Sequence, residues 1–126
     1  MGEPKRMAKK VLIFDDDRHT LSVCTYILEE LGWSVFTRNN TNNLISSIDD
    51  TTPQVILMDN QIPETGGIAA CKLIKAHPEY KNIPIIYFSA NKDIKELTIA
   101  AGADAYIEKP FDIFEFEKII NSVAVH

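Results

Sequence analysis

The 126-residue chain has the length of one ordinary domain and leaves no room for a second with its own core. Hydrophobic residues make up 45% and charged residues 25%, and no apolar run nears the ~20 residues of a membrane span, so a soluble protein with no membrane insertion is expected. Thirteen Lys and Arg against 18 Asp and Glu give a net charge of −5, which argues against the uniformly basic surface of a domain that grips nucleic acid directly.

Residues 1–9 are expected to form a flexible N-terminal arm. The opening MGEPKRMAKK is polar and locally basic, and Arg6 breaks the myristoylation signal that Gly2 would begin. The run Val11-Leu12-Ile13-Phe14 predicts a first strand, followed directly by Asp15, Asp16 and Asp17. A helix from about Arg18 to Leu31 places Leu21, Cys24, Leu28 and Leu31 on one face, and Gly32 stops it. A short strand near Ser34 to Thr37 and a polar loop at 39–43 lead to a weaker amphipathic helix with Leu44, Ile45 and Ile48.

Val55-Ile56-Leu57-Met58 predicts a strand buried on both faces that delivers Asp59. Gly66 and Gly67 turn the chain into a third helix carrying Ile68, Cys71 and Ile74, which ends at His77 because Pro78 disfavours helical geometry in the residue before it. Ile85-Ile86-Tyr87-Phe88 predicts a strand ending at Ser89, and a fourth helix is expected from about Lys92 to Ala101, stopped by Gly102. Ala105-Tyr106-Ile107 leads to Lys109-Pro110, and a fifth helix from about Ile113 to Val123 turns Ile113, Phe116, Ile120 and Val123 inward. Strands alternating with helices in this way predict an α/β fold, a (βα)5 unit with a parallel sheet between two helical layers. Cys24 and Cys71 fall at apolar helical positions rather than in a metal pattern, and the N-terminus does not resemble a signal peptide, so a reducing cytoplasm is the expected location.

In a parallel sheet the four strand ends gather at one edge, where open α/β sheets place their ligands. They supply acid, acid, hydroxyl and cation. Carboxylates crowded together repel one another and resist desolvation unless a cation neutralises them. All-oxygen donors favour a hard ion, and Mg²⁺ accepts one or two carboxylates while keeping water and phosphate oxygens, so Mg²⁺ is the expected cofactor, with Mn²⁺ a possible substitute. Asp17, next to Arg18, is instead expected to cap the first helix. His19 is expected to face solvent rather than metal.

The motifs VLIFDDD, LMDNQIPETGG, YFSA and YIEKPF, in this order over nearly the whole chain, resemble those of two-component response-regulator receiver domains. Ser89 and Lys109 follow Asp59 by 30 and 50 residues, close to the usual separations in that family. The resemblance implies a receiver domain over residues 10–126 and a flavodoxin-like sheet of order 2-1-3-4-5. It makes Asp59 the phosphoacceptor, with Asp15, Asp16, Asp59 and the backbone carbonyl of Gln61 serving the metal. Lys109 and Ser89 would bind phosphoryl oxygens, and the peptide before Pro110 would be cis. Ser89 and Tyr106 would form the switch, the alternative for Tyr106 being a purely structural strand aromatic. Gln61 and Asn91 would tune how water reaches the acyl phosphate.

The resemblance further implies a signalling domain rather than a metabolic enzyme. Its partners would be a sensor histidine kinase or histidine phosphotransfer protein and a downstream effector or fused output domain, with phospho-dependent homodimers a further option. Kinase docking would fall on the first helix and the loop after the fifth strand, with Arg18, Thr25 and Phe111 as contacts. Ser89 stands where the family often has Thr, which keeps the hydroxyl but loosens the switch. Phe114 replaces a common polar cap, so Asp112 is expected to cap the last helix, leaving Phe114 either exposed as a partner anchor or packed under Phe111. Two other readings compete. One is a pseudo-receiver that binds partners without phosphorylation. The other is a phosphohydrolase of the haloacid dehalogenase type, whose motif would fall on Asp15, Asp17 and His19 with its last element missing.

Overall fold

The computed structural model describes residues 9–63 and 65–124. The elements are β1 (Lys10–Phe14), α1 (Arg18–Glu30), β2 (Ser34–Arg38), α2 (Leu44–Thr51), β3 (Val55–Asp59), α3 (Gly67–Ala76), β4 (Ile85–Ser89), α4 (Ile94–Ala101), β5 (Ala105–Glu108) and α5 (Ile113–Ala124). The expected N-terminal arm lies, except for Lys9, outside the described residues. All strand pairs are parallel, in the order β2-β1-β3-β4-β5, the flavodoxin-like (βα)5 architecture expected.

The sheet order follows from the sequence of each strand. β3 and β4 are buried at every position, as strands covered on both faces must be, whereas at the edges β2 is half-buried over most of its length and β5 buries only Ile107 fully. Side chains alternate between two cores. Val11, Ile13, Leu57, Ile86 and Phe88 pack with Cys24 and Leu28 of α1 and with Phe116 and Ile120 of α5. Leu12, Phe14, Met58, Ile85 and Tyr87 face the other way, onto Ile48 of α2, Cys71 and Ile74 of α3 and Ala101 of α4. Burial of each such side chain stabilises the fold by about 1.5–3 kcal/mol before conformational entropy is counted. The two free cysteines are fully buried on opposite faces of the sheet, and burial pushes both thiols up to about 12.

Helix ends follow the expected signals with two corrections. Gly32 and Gly102 close α1 and α4 at positive φ (93° and 76°), and His77 is extended ahead of Pro78. The expected start of the fourth helix at Lys92 is two residues early, because Lys92 and Asp93 form a turn and Asp93 has non-helical backbone angles at the N-cap of α4. Ile113 does not turn inward: it is 53% exposed. The core at that end is closed by Phe111, whose ring lies 5.0 Å from Phe116 and 5.6 Å from Phe88, so the first turn of α5 has no apolar surface left to cover. Among the described residues no helix is long and apolar enough to cross a membrane.

Candidate functional site

The carboxyl ends of β1, β3 and β5 bring three charged groups into contact. Asp15, directly after β1, is 1% exposed, and Asp59, the last residue of β3, is 6% exposed. Lys109, just past β5, donates from Nζ to Oδ1 of Asp59 at 2.7 Å and to Oδ2 of Asp15 at 2.9 Å. The backbone fixes the remaining carboxylate oxygens. The Asp17 N–H donates to Asp15 Oδ1 at 2.9 Å, and the Gln61 N–H donates to Asp59 Oδ2 at 3.0 Å. Asp16 is exposed, yet one oxygen from each of Asp15, Asp16 and Asp59 lies within 4.8 Å of the others.

The electrostatics are those of a crowded anionic site held by one cation. Burial raises the Asp15 carboxyl above its ordinary range, and the nearby Asp59 charge adds to this, while the hydrogen bonds from Lys109 and the Asp17 N–H oppose it. Burial alone would lower the Lys109 ammonium, but its two carboxylate partners prevail and hold it above its ordinary value. The aliphatic stem reaches the site over Phe88, with Nζ 5.5 Å from the ring centroid. Three carboxylates against one ammonium leave a deficit of two positive charges, and the donors are all oxygen, a set that suits one hard divalent ion.

Other expected site residues take their places around this group. Ser89 ends β4, is 4% exposed, and its Oγ accepts the Asn91 N–H at 3.0 Å. The Lys109 N–H donates to the Ser89 carbonyl at 2.9 Å, tying the hydroxyl-bearing strand end to the lysine-bearing one. Gln61 and Asn91 are exposed at the rim. The Lys109–Pro110 peptide is cis. Tyr106 is on the edge strand, 39% exposed, level with Tyr87 of β4. Asp17 caps α1, its carboxylate accepting the His19 N–H at 3.2 Å and the Thr20 hydroxyl at 2.8 Å, bonds that lower its pKa. His19 is exposed and stands outside the carboxylate group. Asp112 accepts the Glu115 N–H at 2.7 Å at the start of α5, and Phe114 is 83% exposed.

A cavity of about 380 Å³, lined by His19, Thr20, Val23, Ala90, Lys109, Pro110 and Phe111, opens beside the lysine. It lies between α1 and the loop after β5, so Phe111 lines it while Arg18 and Thr25 do not. Reading the sequence missed two features. Lys109 bridges Asp15 as well as Asp59, and the Tyr87 hydroxyl bonds Asn60, the residue after Asp59, at 2.5 Å. A tyrosine in the middle of a fully buried strand is the available signal for the second, because its hydroxyl must find a partner.

The chain matches known proteins in sequence and in fold. The family model described as "Response regulator receiver domain" matches residues 11–121. The polar-differentiation response regulator DivK of Brucella anthropi is 30% identical over 92% of the chain, which spans 96% of that protein. The CAI-1 autoinducer sensor kinase/phosphatase CqsS of Vibrio cholerae is 29% identical over 97% of the chain, which spans only 18% of it. Among solved structures, the receiver domain of a sensor histidine kinase from Pseudomonas aeruginosa superimposes with a TM-score of 0.86 at 25% identity, covering 95% of this chain and 100% of that one. That structure holds a magnesium ion in its active-site cleft.

Proposed function

Because the chain belongs to the response regulator receiver domain family of two-component signalling, we propose that it accepts a phosphoryl group on Asp59 and relays that event to a partner protein. The observation that carries this reading is the lysine bridge. Lys109 holds a carboxylate oxygen of Asp59 at 2.7 Å, inside a group of oxygen donors that suits a divalent ion. In the reaction an Asp59 oxygen attacks phosphorus, a P–O bond forms, and the P–N bond to the donor histidine breaks, the imidazole nitrogen keeping its electron pair and taking a proton from solvent. Lys109 transfers its ammonium from the carboxylates to a phosphoryl oxygen, and Ser89 donates its hydroxyl to another. Asp15, Asp16, Asp59 and the Gln61 carbonyl would hold Mg²⁺, or Mn²⁺ in its place. When bound, that ion neutralises the anionic charge which otherwise repels the incoming phosphoryl group.

Phosphorylation can signal only by biasing an element with two states. Ser89 and Tyr106 are assigned that role, the ring moving inward as the hydroxyl turns to the phosphoryl group. The exposed set Ile99, Tyr106, Ile113 and Phe114 on α4, β5 and α5 supports this surface as the one read by an effector, a fused output domain or a second copy. Gln61 and Asn91 at the rim are assigned to the control of water, and hence of phosphate lifetime. The cavity beside Lys109 is assigned to the donor, a histidine kinase or histidine phosphotransfer protein in the cytoplasm.

Intact mass after incubation with acetyl phosphate and Mg²⁺ tests this. A gain of one phosphoryl group that disappears with EDTA and in Asp59→Asn is expected. No gain in wild type that is folded and binds Mg²⁺ would overturn the reading in favour of a phosphorylation-independent binding platform.

A further inference from the structure

The middle of β4 carries a hydroxyl that the fold itself does not require. Tyr87 is fully buried, on the face of the sheet that packs against α3, and a phenylalanine would fill the same space without desolvating an oxygen. The partner of that hydroxyl lies outside the core. It donates to Oδ1 of Asn60 at 2.5 Å, on the loop leaving β3. Asn60 is also held through its backbone, its N–H donating to the Phe88 carbonyl at 2.9 Å and its carbonyl accepting the Gly67 N–H at 3.0 Å. The start of α3 presses on the same spot. A Cβ on Gly67 would stand 2.5 Å from the Asp59 carbonyl oxygen, 2.7 Å from the Tyr87 hydroxyl and 2.8 Å from the Asn60 Cα.

The geometry points to Tyr87 as a positioning residue for the phosphoacceptor segment. By anchoring the Asn60 side chain, its hydroxyl fixes the two peptide units on either side, one leading from Asp59 and one to Gln61. Those units set the direction of the Asp59 carboxylate, which the Gln61 N–H holds, and of the Gln61 carbonyl assigned to Mg²⁺. This inference rests on the proposed roles of Asp59 and Gln61. Preorganisation of this kind matters because a misplacement of a reacting group by about 1 Å can cost on the order of 100-fold in rate.

Replacing both members of a buried hydrogen bond by apolar groups of similar shape can leave stability almost unchanged, whereas replacing one strands the other. Positioning and packing therefore separate. Tyr87→Phe, Asn60→Leu and the double variant are compared with wild type by thermal midpoint, by Mg²⁺ titration calorimetry and by the initial rate of phosphorylation from acetyl phosphate. The expected result is that the double variant melts close to wild type yet binds Mg²⁺ about 3–10-fold more weakly and is phosphorylated more slowly by a similar factor. Wild-type Mg²⁺ affinity and rate in the double variant would overturn the inference and make the bond a packing device. Wild type that takes up no phosphoryl group would instead overturn the function proposed for Asp59, and this inference with it.

Discussion

Lys109→Met removes the ammonium that bridges Asp15 and Asp59 while keeping the length of the side chain. Nζ is 2.7 Å from Asp59 and 2.9 Å from Asp15, and those two side chains are 9% and 1% exposed, so neither acid is freely rehydrated when the ammonium is gone. A pair of unit charges at ~4 Å interacts by about 4 kcal/mol at an effective dielectric of ~20. Because the lysine side chain is 22% exposed and water enters beside it, a net loss of about 2–4 kcal/mol in EDTA is expected for the two contacts together. With a urea slope of about 1–3 kcal/mol/M, the midpoint falls by roughly 1–2 M. The same deletion should tighten Mg²⁺ binding by about tenfold or more, since the ammonium sits on two of the three carboxylates that would hold the ion. Wild type gains from the same ion, so tenfold tighter binding should narrow the gap between the two proteins at saturating Mg²⁺ by about 1.4 kcal/mol relative to EDTA. Urea unfolding of both proteins in EDTA and in Mg²⁺, together with calorimetric Mg²⁺ titration, checks each step. A variant that loses the same stability with and without Mg²⁺, or binds the ion no more tightly than wild type, would refute the assignment of lysine and metal to one set of oxygens.

Three further outcomes follow from local geometry. Gly67→Ala puts a methyl group 2.5 Å from a backbone oxygen that cannot swing aside, so a loss of about 3 kcal/mol or more and a fall in Tm of roughly 10 °C are expected. Gly66→Ala has open space but sits at φ 83° and ψ 155°, a region essentially confined to glycine, so it should also cost about 1–3 kcal/mol, and a Gly67→Ala protein that melts like wild type would contradict the close approach of α3 to β3. Asp112→Ala removes the acceptor for the Glu115 N–H and should cost about 1 kcal/mol by denaturant titration, whereas an unchanged midpoint would show that another group caps α5. Alkaline stability is set in part by Cys24 and Cys71, whose thiols titrate near 9 when unfolded and near 12 when folded. The unfolded chain releases these protons first, so stability falls as pH rises from about 9 to 12, by about 1 kcal/mol per thiol at pH ~10. Equal alkaline slopes for wild type and Cys24→Ala/Cys71→Ala would show that the buried thiols do not contribute.

What could be read from the sequence was what depends on near neighbours along the chain. β1, β3 and β4 are uninterrupted apolar runs, and such runs bury on both faces whatever surrounds them, so their carboxyl-terminal Asp15, Asp59 and Ser89 had to share an edge once the sheet was parallel. Gly102 and Pro78 likewise stop their helices through local backbone geometry alone. What escaped depends on contacts across the fold. Nothing near Ile113 indicates that Phe111 has already closed that end of the core. Gly67 has the sequence of an ordinary turn, but its lack of a side chain answers to β3 and to Tyr87, 20 residues on. The second carboxylate partner of Lys109 lies 94 residues away and shows only when β1 and β5 end at the same edge.

Charge also accounts for why the site takes this composition. Asp15, Asp16 and Asp59 with Lys109 sum to two negative charges, a state made tolerable without metal by the exposure of Asp16 and the double engagement of the lysine. A dication on the same oxygens brings the sum to zero, so the proposed phosphoryl group meets a neutral site rather than an anionic one. In the proposed reaction, formation of the acyl phosphate would consume the Asp59 carboxylate charge and add that of the phosphoryl group, so the product would carry about one more negative charge than the metal-bound starting state. That excess would fall where Lys109 gives up its Asp59 partner and where the Ser89 hydroxyl ends its strand. Under the proposed function one lysine would serve two states in turn, clamping carboxylates before transfer and a phosphoryl oxygen after it.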